Sequence, residues 1–351
     1  MLTTLTLVSL TLVGCTQDSS SPSNSTVAGA GITVTNCGAN VTYSAGQNLM
    51  VNDGNIIAMV LAAGGRENIK WVSSFTEHAD ILKAKYGAET DGLAEINLTD
   101  DYPSLEEVVA KKPDVLVAGW NYGFSDGTNL TPESLKQHDI GAYVLTESCR
   151  QEDTSKRGLV DPWKAVSDDI TNLGKITGHE DTAAAVVKDQ EERLSTLQAA
   201  PKTEKNPVTF VFAPLEGSIF TSDKFGGLQA IIEAAGGKNA ADSIEDIWTD
   251  VGWEFLAKQN PEVFVFVDYG KGFEDKVKML KENDVAKDLP AVKKNRFINL
   301  PYAMWTSSPL NIDAAEYVRK AYEKFGLAPQ SDVATHLTLP ESSAGQEYFT
   351  G

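Results

Sequence analysis

The sequence has 351 residues, of which 42% are hydrophobic and 23% charged, with 30 Lys and Arg against 49 Asp and Glu. That is enough apolar material for two cored domains, and it excludes wholesale disorder. A net charge of -19 excludes a grip on nucleic acid or on an anionic membrane surface through bulk charge.

Residues 2–14, LTTLTLVSLTLVG, carry no charge and end in Leu12-Val13-Gly14-Cys15. The run is too short and too rich in Thr and Ser for a comfortable membrane span, and it fits the apolar core of a secretory signal. With the polar residues that follow, it resembles a bacterial lipoprotein signal. That likeness implies that residues 1–15 end at a lipidated Cys15 and that the membrane is touched through the lipid anchor only. An apolar N-terminus with an incidental Cys is the alternative. No Lys or Arg precedes the apolar run, so the true start codon is expected a few codons upstream. Residues 16–30, TQDSSSPSNSTVAGA, read as a flexible linker. With Cys15 taken by lipid, Cys37 and Cys149 remain. An oxidising compartment lets them pair, and two separate thiols are the other reading.

From residue 31 the elements alternate. Ile32–Gly38 and Val41–Tyr43 read as a hairpin. Leu49-Met50-Val51 reads as a strand, and Asn52-Asp53-Gly54-Asn55 opens a helix over Ile56–Ala63 that stops at Gly64-Gly65. A strand at 69–72, helices near 77–86 and 104–111 and a strand at 115–118 follow. This βαβα order predicts a parallel sheet covered by helices. Residues 161–200 are the longest helical stretch, with Trp163, Val166, Ile170 and Leu173 on one face. Gly174, Thr177 and Gly178 interrupt it, and Ala183–Leu197 resumes it. It reads as one rigid connector. A second block follows, with strands at 208–212, 263–267 and 296–300 and helices at 228–235 and 310–325. Val263–Val267 is continuously apolar, as in a strand buried on both faces.

The blocks echo each other. Ala62-Ala63-Gly64-Gly65 matches Ala234-Ala235-Gly236-Gly237, and Glu106 precedes Pro113 by the same seven residues that separate Glu254 from Pro261. The expected fold is α/β: two Rossmann-like βα lobes with parallel central sheets, residues 31–160 and 201–327, joined by one long α-helix, 161–200, with a ligand cleft between them. Residues 328–351 read as a polar tail, flexible or loosely packed.

These features together resemble the substrate-binding proteins of ABC importers, and more closely the class serving ferric siderophores, haem and cobalamin. Asn36-Cys37-Gly38, Ala118–Ser125, Glu147–Arg150, Asp246–Glu254 and Val267-Asp268 are similar to a group of actinobacterial lipoproteins usually labelled as carriers of iron complexes or of a deazaflavin cofactor precursor. The likeness covers about 31–327. It departs where Asn48-Leu49-Met50-Val51 lacks the Arg that usually leads the first lobe strand, and where the tail runs past the usual end. The resemblance implies an extracytoplasmic, membrane-anchored, monomeric solute-binding lipoprotein without catalytic residues or cofactor. It implies delivery of an iron complex of the ferric siderophore type to a permease dimer, with the deazaflavin precursor, cobalamin and haem as alternatives. It also implies that Glu106 and Glu254 dock the permease; solvated helix carboxylates are the plain reading.

Ligands of parallel α/β sheets bind beyond the carboxyl ends of the strands. The candidates there are Asn52, Asn55, Trp120, Tyr122, Arg150, Trp248, Asp268, Tyr269, Tyr302 and Trp305. Aromatic faces suit a metal chelate or a flat conjugated molecule, and Arg150 offers a planar donor fork for an anion. Packing under loops remains the alternative for Trp120 and Trp248, helix capping for Asn52 and Asn55, and a surface ion pair for Arg150. A metal-dependent enzyme on the same fold is the rival class. The sequence has no GxSxG and no HExxH, and Gly119, Gly123 and Gly127 do not make GxGxxG. The four histidines, His78, His138, His179 and His336, are scattered and only His78 falls near the expected cleft. No metal ligands are assigned.

Overall fold

The computed structural model describes residues 2, 31–44, 46–152, 156–268 and 272–350, with Asp268 described by its backbone alone. In chain order the elements are β1 (Ile32–Asn36), β2 (Ala39–Tyr43), β3 (Leu49–Asn52), α1 (Gly54–Ala62), β4 (Ile69–Ser73), α2 (Ala79–Tyr86), α3 (Leu105–Lys111), β5 (Val115–Trp120), β6 (Gly123–Phe124), α4 (Pro132–Lys136), β7 (Gly141–Val144), α5 (Pro162–Thr177) and α6 (Glu180–Ala199). There follow β8 (Val208–Pro214), β9 (Ile219–Ser222), α7 (Gly227–Ala234), β10 (Lys238–Asn239), β11 (Trp248–Val251), α8 (Trp253–Gln259), β12 (Val263–Asp268), α9 (Phe273–Glu282), α10 (Pro290–Lys293), β13 (Phe297–Pro301), α11 (Tyr302–Trp305), α12 (Asn311–Lys324) and α13 (Gln346–Phe349).

Each lobe is built on a parallel sheet. The first has the order β4-β3-β5-β7 and the second β10-β8-β12-β13, so both follow one winding in which the earliest strand lies second. The antiparallel pair β9 and β11 extends the second sheet beyond β8. Strand residues such as Val51, Val117, Val211 and Val265 are fully or almost fully buried, as sheets covered on both faces require. The β1–β2 hairpin forms as expected, and Cys37 at its turn is bonded to Cys149.

The 161–200 segment differs from expectation. It is two helices, α5 and α6, not one. Gly178 takes a left-handed conformation (φ 81°) and the N–H of His179 returns to the Gly174 carbonyl at 2.7 Å, a glycine-based helix stop. The helices then pack closely where Gly174 meets Ala183; a Cβ on Gly174 would lie 2.4 Å from that of Ala183. The interruption seen as Gly174, Thr177 and Gly178 is therefore a reversal. α5 packs against both α1 and α7, and thereby joins the lobes.

The tail also differs. Val333, Leu337, Leu339 and Phe349 are each less than 7% exposed. Tyr317 donates to the Leu337 carbonyl, Arg319 to that of Pro329, and Asn299 to that of Ala344. Four apolar residues separated by polar ones suffice to lay the segment on the second lobe. Residues 1, 3–30 and 351 fall outside the described residues, and with them Cys15, the signal and the linker. No helix among the described residues is long and apolar enough to cross a membrane.

Candidate functional site between the lobes

The carboxyl ends of β3, β4 and β5 face the second lobe. Asn52 ends β3, is fully buried, donates to the Tyr122 carbonyl at 2.8 Å and accepts from Ser73 Oγ at 2.7 Å. It ties three strand ends together. Asn55 is also fully buried and donates at 2.9 Å to the carbonyl of Ser307 in the second lobe. Trp305 is buried and donates its indole N–H to the Phe266 carbonyl at 3.0 Å. The expectation that Asn52, Asn55 and Trp305 line the cleft is thus corrected. Their N–H groups hold the scaffold, because a buried amide or indole N–H without a partner is costly, while Asn55 Oδ1 is buried without one.

Asp53 follows Asn52 with a positive φ of 71° and starts α1 by accepting from the N–H of Gly54 at 2.7 Å. Its second oxygen accepts from Tyr102 at 2.8 Å. His78 Nε2 lies 3.3 Å away and its ring stacks on Tyr302 at 5.5 Å. These groups border a cavity of about 250 Å³ that Glu77, Asp100 and Asp101 also line, and among the described residues no Lys or Arg does. Burial beside Asp53 holds the Tyr302 phenol well above its ordinary value, so it stays protonated as a donor.

The other half is aromatic and cationic. Trp120 ends β5 and is fixed by its backbone N–H to Ser148 Oγ at 2.9 Å. Arg150 lays its guanidinium 3.4 Å over the Trp120 ring and pairs with Asp126 at 2.8 Å. This is a cation–π contact with a neutralising partner. Tyr122 is 4% exposed and accepts from Trp248 Nε1 of the second lobe at 3.2 Å. Trp248 stacks on Phe220 at 5.1 Å with an interplanar angle of 15°. Arg157 donates its guanidinium to the Trp120 carbonyl at 3.1 Å, sits 5.9 Å from the Tyr122 ring, and donates its backbone N–H to the Asp246 carboxylate of the second lobe at 3.2 Å. The structure therefore gathers Trp120, Tyr122, Arg150 and Trp248 along one interlobe seam and Tyr302 along another. Asp268 ends β12 opposite Pro301; its side chain and Tyr269 lie outside the described residues.

Sequence reasoning missed Arg157 and Tyr102. Arg157 stands in a polar stretch whose only signal is a Lys-Arg pair before Gly158, and Tyr102 stands in an acidic loop. It also missed Glu147 as a lobe contact. Glu147 is 2% exposed and accepts at 2.9 Å from the N–H of Gly227, the first residue of α7. Burial pushes its pKa up to about 7, against the pull of that N–H and of Arg157. Among the described residues no group of three or more His, Cys, Asp or Glu is placed to hold a metal ion.

Glu106 and Glu254 are exposed and equivalent. Each is the second residue of a seven-residue helix, α3 or α8. Each helix ends in a left-handed residue, Lys112 (φ 52°) or Asn260 (φ 47°), followed by Pro113 or Pro261.

Two wound lobes with a cleft at their strand ends are the architecture of a two-lobe periplasmic binding protein. The model of the periplasmic binding protein family matches residues 58–303, and the chain belongs to that family. Its members bind small molecules outside the cytoplasmic membrane, work with ABC permeases and are not enzymes. No curated protein matches the sequence. Among the solved structures that share the fold are three from different bacteria. An ABC-type Fe3+-hydroxamate transport system protein from Saccharomonospora viridis is 23% identical over 84% of this chain and 98% of that one, with a TM-score of 0.68. A periplasmic binding protein from Veillonella parvula is 21% identical over 86% and 100%, at 0.70. The molybdate-binding MolA of Haemophilus influenzae is 17% identical over 84% and 92%, at 0.61.

Proposed function

We propose that this protein captures an iron complex of the ferric siderophore type between its lobes and delivers it to an ABC permease. The observation that carries the reading is the seam at Tyr122. There Trp120, bearing the Arg150 guanidinium, and Trp248, stacked on Phe220, converge from opposite lobes. Aromatic faces with one partly exposed cation suit the conjugated, anionic surface of a metal chelate. The acidic cavity beside Asp53 suits amine or hydroxyl donors at the chelate's other end. Iron enters inside its chelate, so the protein needs no metal ligands of its own. Glu106 and Glu254 dock the two permease subunits, and a lipid on Cys15 keeps the protein at the membrane.

Tryptophan fluorescence of the full chain in detergent tests this against ferric siderophores, haem, cobalamin and a deazaflavin precursor. Tight quenching by a ferric siderophore, weakened in Trp120→Ala, is expected. Quenching by another member alone replaces the cargo, and no quenching by any of them overturns the reading.

A further inference from the structure

Two cavities meet at Tyr302. The first is the 250 Å³ pocket beside Asp53. The second, of about 230 Å³, lies between α2, the end of β13 and the C-terminal segment, with Pro340, Ser342 and Ser343 on its outer side. Glu77 and Tyr302 line both, so the two cavities adjoin at these side chains. The family match ends at residue 303, well before this wall.

The wall is built, not draped. Gln346 donates its side-chain amide to the Pro340 carbonyl at 2.7 Å, and the N–H of Ser343 donates to the same carbonyl at 3.0 Å. Asn299 of β13 holds the Ala344 carbonyl at 3.0 Å. On either side Leu339 and Phe349 are buried in the second lobe. The segment then reaches the first lobe, where Ser342 donates to Asp80 at 2.6 Å. Asp80 is in the first turn of α2. Lys85 in the last turn of the same helix is held at 2.7 Å by Asp313, which also pairs with Arg193 at 2.6 Å. The helix that follows directly on the Glu77-His78 turn is therefore tied to the second lobe at both ends.

We propose that the C-terminal segment is a third wall of the ligand site, and that residues 340–343 set how long an arm of the ligand passes beyond Tyr302. This rests on reading the interlobe cleft as the binding site. The compartment offers the Glu77 and Asp80 carboxylates and two serine hydroxyls, and among the described residues no Lys or Arg lines it. It takes an amine- or hydroxyl-bearing chain and rejects a carboxylate-bearing one.

The test uses the full chain and two ferric trihydroxamates, one compact and cyclic, the other linear and ending in a free primary amine. Ser342 is exposed, so Ser342→Trp narrows the compartment without burying a new side chain. The variant is expected to lose at least tenfold more affinity for the linear complex than for the compact one. An equal loss for both, or no loss for either, overturns the wall. If the wild type binds neither, the cargo assignment fails and hydrogen exchange decides the wall alone. The pair Ser342→Ala with Asp80→Asn is then expected to speed exchange of the α2 amides several-fold and leave α9 unchanged. Unchanged exchange in α2 overturns it.

Discussion

The two lobes are one design executed with different cores. Both sheets wind in the same order, and both first helices end alike. Gly64 and Gly236 are left-handed at φ 84° and 90°, and the N–H groups of Gly65 and Gly237 return to Val60 and Ile232. The α3 and α8 helices end alike too. Inside, the lobes diverge. The first packs aliphatic strands and adds the Cys37–Cys149 bond. The second packs Phe210, Phe212, Phe264, Phe266 and Phe297 against one another, tilted or edge to face, and has the C-terminal segment over it. Backbone chemistry at turns has been kept where geometry demands it, while volume has been filled by different means.

The largest effect should come from the aromatic core. Phe264 contacts Phe212 at 5.9 Å and Phe210 at 6.0 Å, so Phe264→Ala should cost about 3–5 kcal/mol of stability. By the Pro113 and Pro261 match, its counterpart is Leu116, and Leu116→Ala should shift the denaturant midpoint less. A larger loss at Leu116 would reverse the comparison. Next is the covalent link. Cys37→Ala with Cys149→Ala should cost about 2–4 kcal/mol, and exchange should quicken in β1, β2 and β7 while β12 stays protected.

The lobe boundary gives a pH-dependent effect. Glu147 has its pKa raised from 4.5 to about 7 by burial. The folded state keeps a proton that the unfolded chain has released, so this stability is present below pH 4.5 and lost as pH rises through 7. Glu147→Gln removes that window and should be more stable than wild type at pH 8 by roughly 3 kcal/mol. The same comparison at pH 4.5 should show little difference. Equal pH profiles for the two would refute the assignment. At the seam, Trp120→Ala should weaken ligand binding by roughly 1–3 kcal/mol. Its stability should change less than that of Phe264→Ala, because Trp120 is only partly buried.

Local chemistry made the repeated parts legible. Continuous apolar runs announced parallel strands and Ala-Ala-Gly-Gly announced helix stops, while Cys37 and Cys149 left a bond and two separate thiols both open until the structure joined them. Tertiary decisions were not legible. Gly174, Thr177 and Gly178 read as an interruption within one helix, and only the left-handed Gly178 and the packing of Ala183 on Gly174 show a reversal between two. Trp305 and Trp248 look alike in sequence because core and cleft both favour aromatic area. Only the first finds a buried carbonyl for its indole N–H. The apolar residues of 333–349 are spaced too irregularly to show a helix or strand period, so their burial was hidden until α12 and β13 supplied the surface.

The smallest effect on stability should test the closest likeness between the lobes. Glu106 and Glu254 are exposed at the same position of matched helices, so reversing either charge should change stability by less than about 0.5 kcal/mol and leave ligand affinity intact. Two well-separated charge contacts fix the orientation of a docked partner better than one. Glu106→Arg or Glu254→Arg alone should therefore reduce ligand uptake in cells, and the double variant should abolish it. Uptake that survives the double variant would leave these carboxylates as solvated helix residues. Uptake abolished by one single variant and untouched by the other would show that lobes equivalent in backbone are unequal in docking.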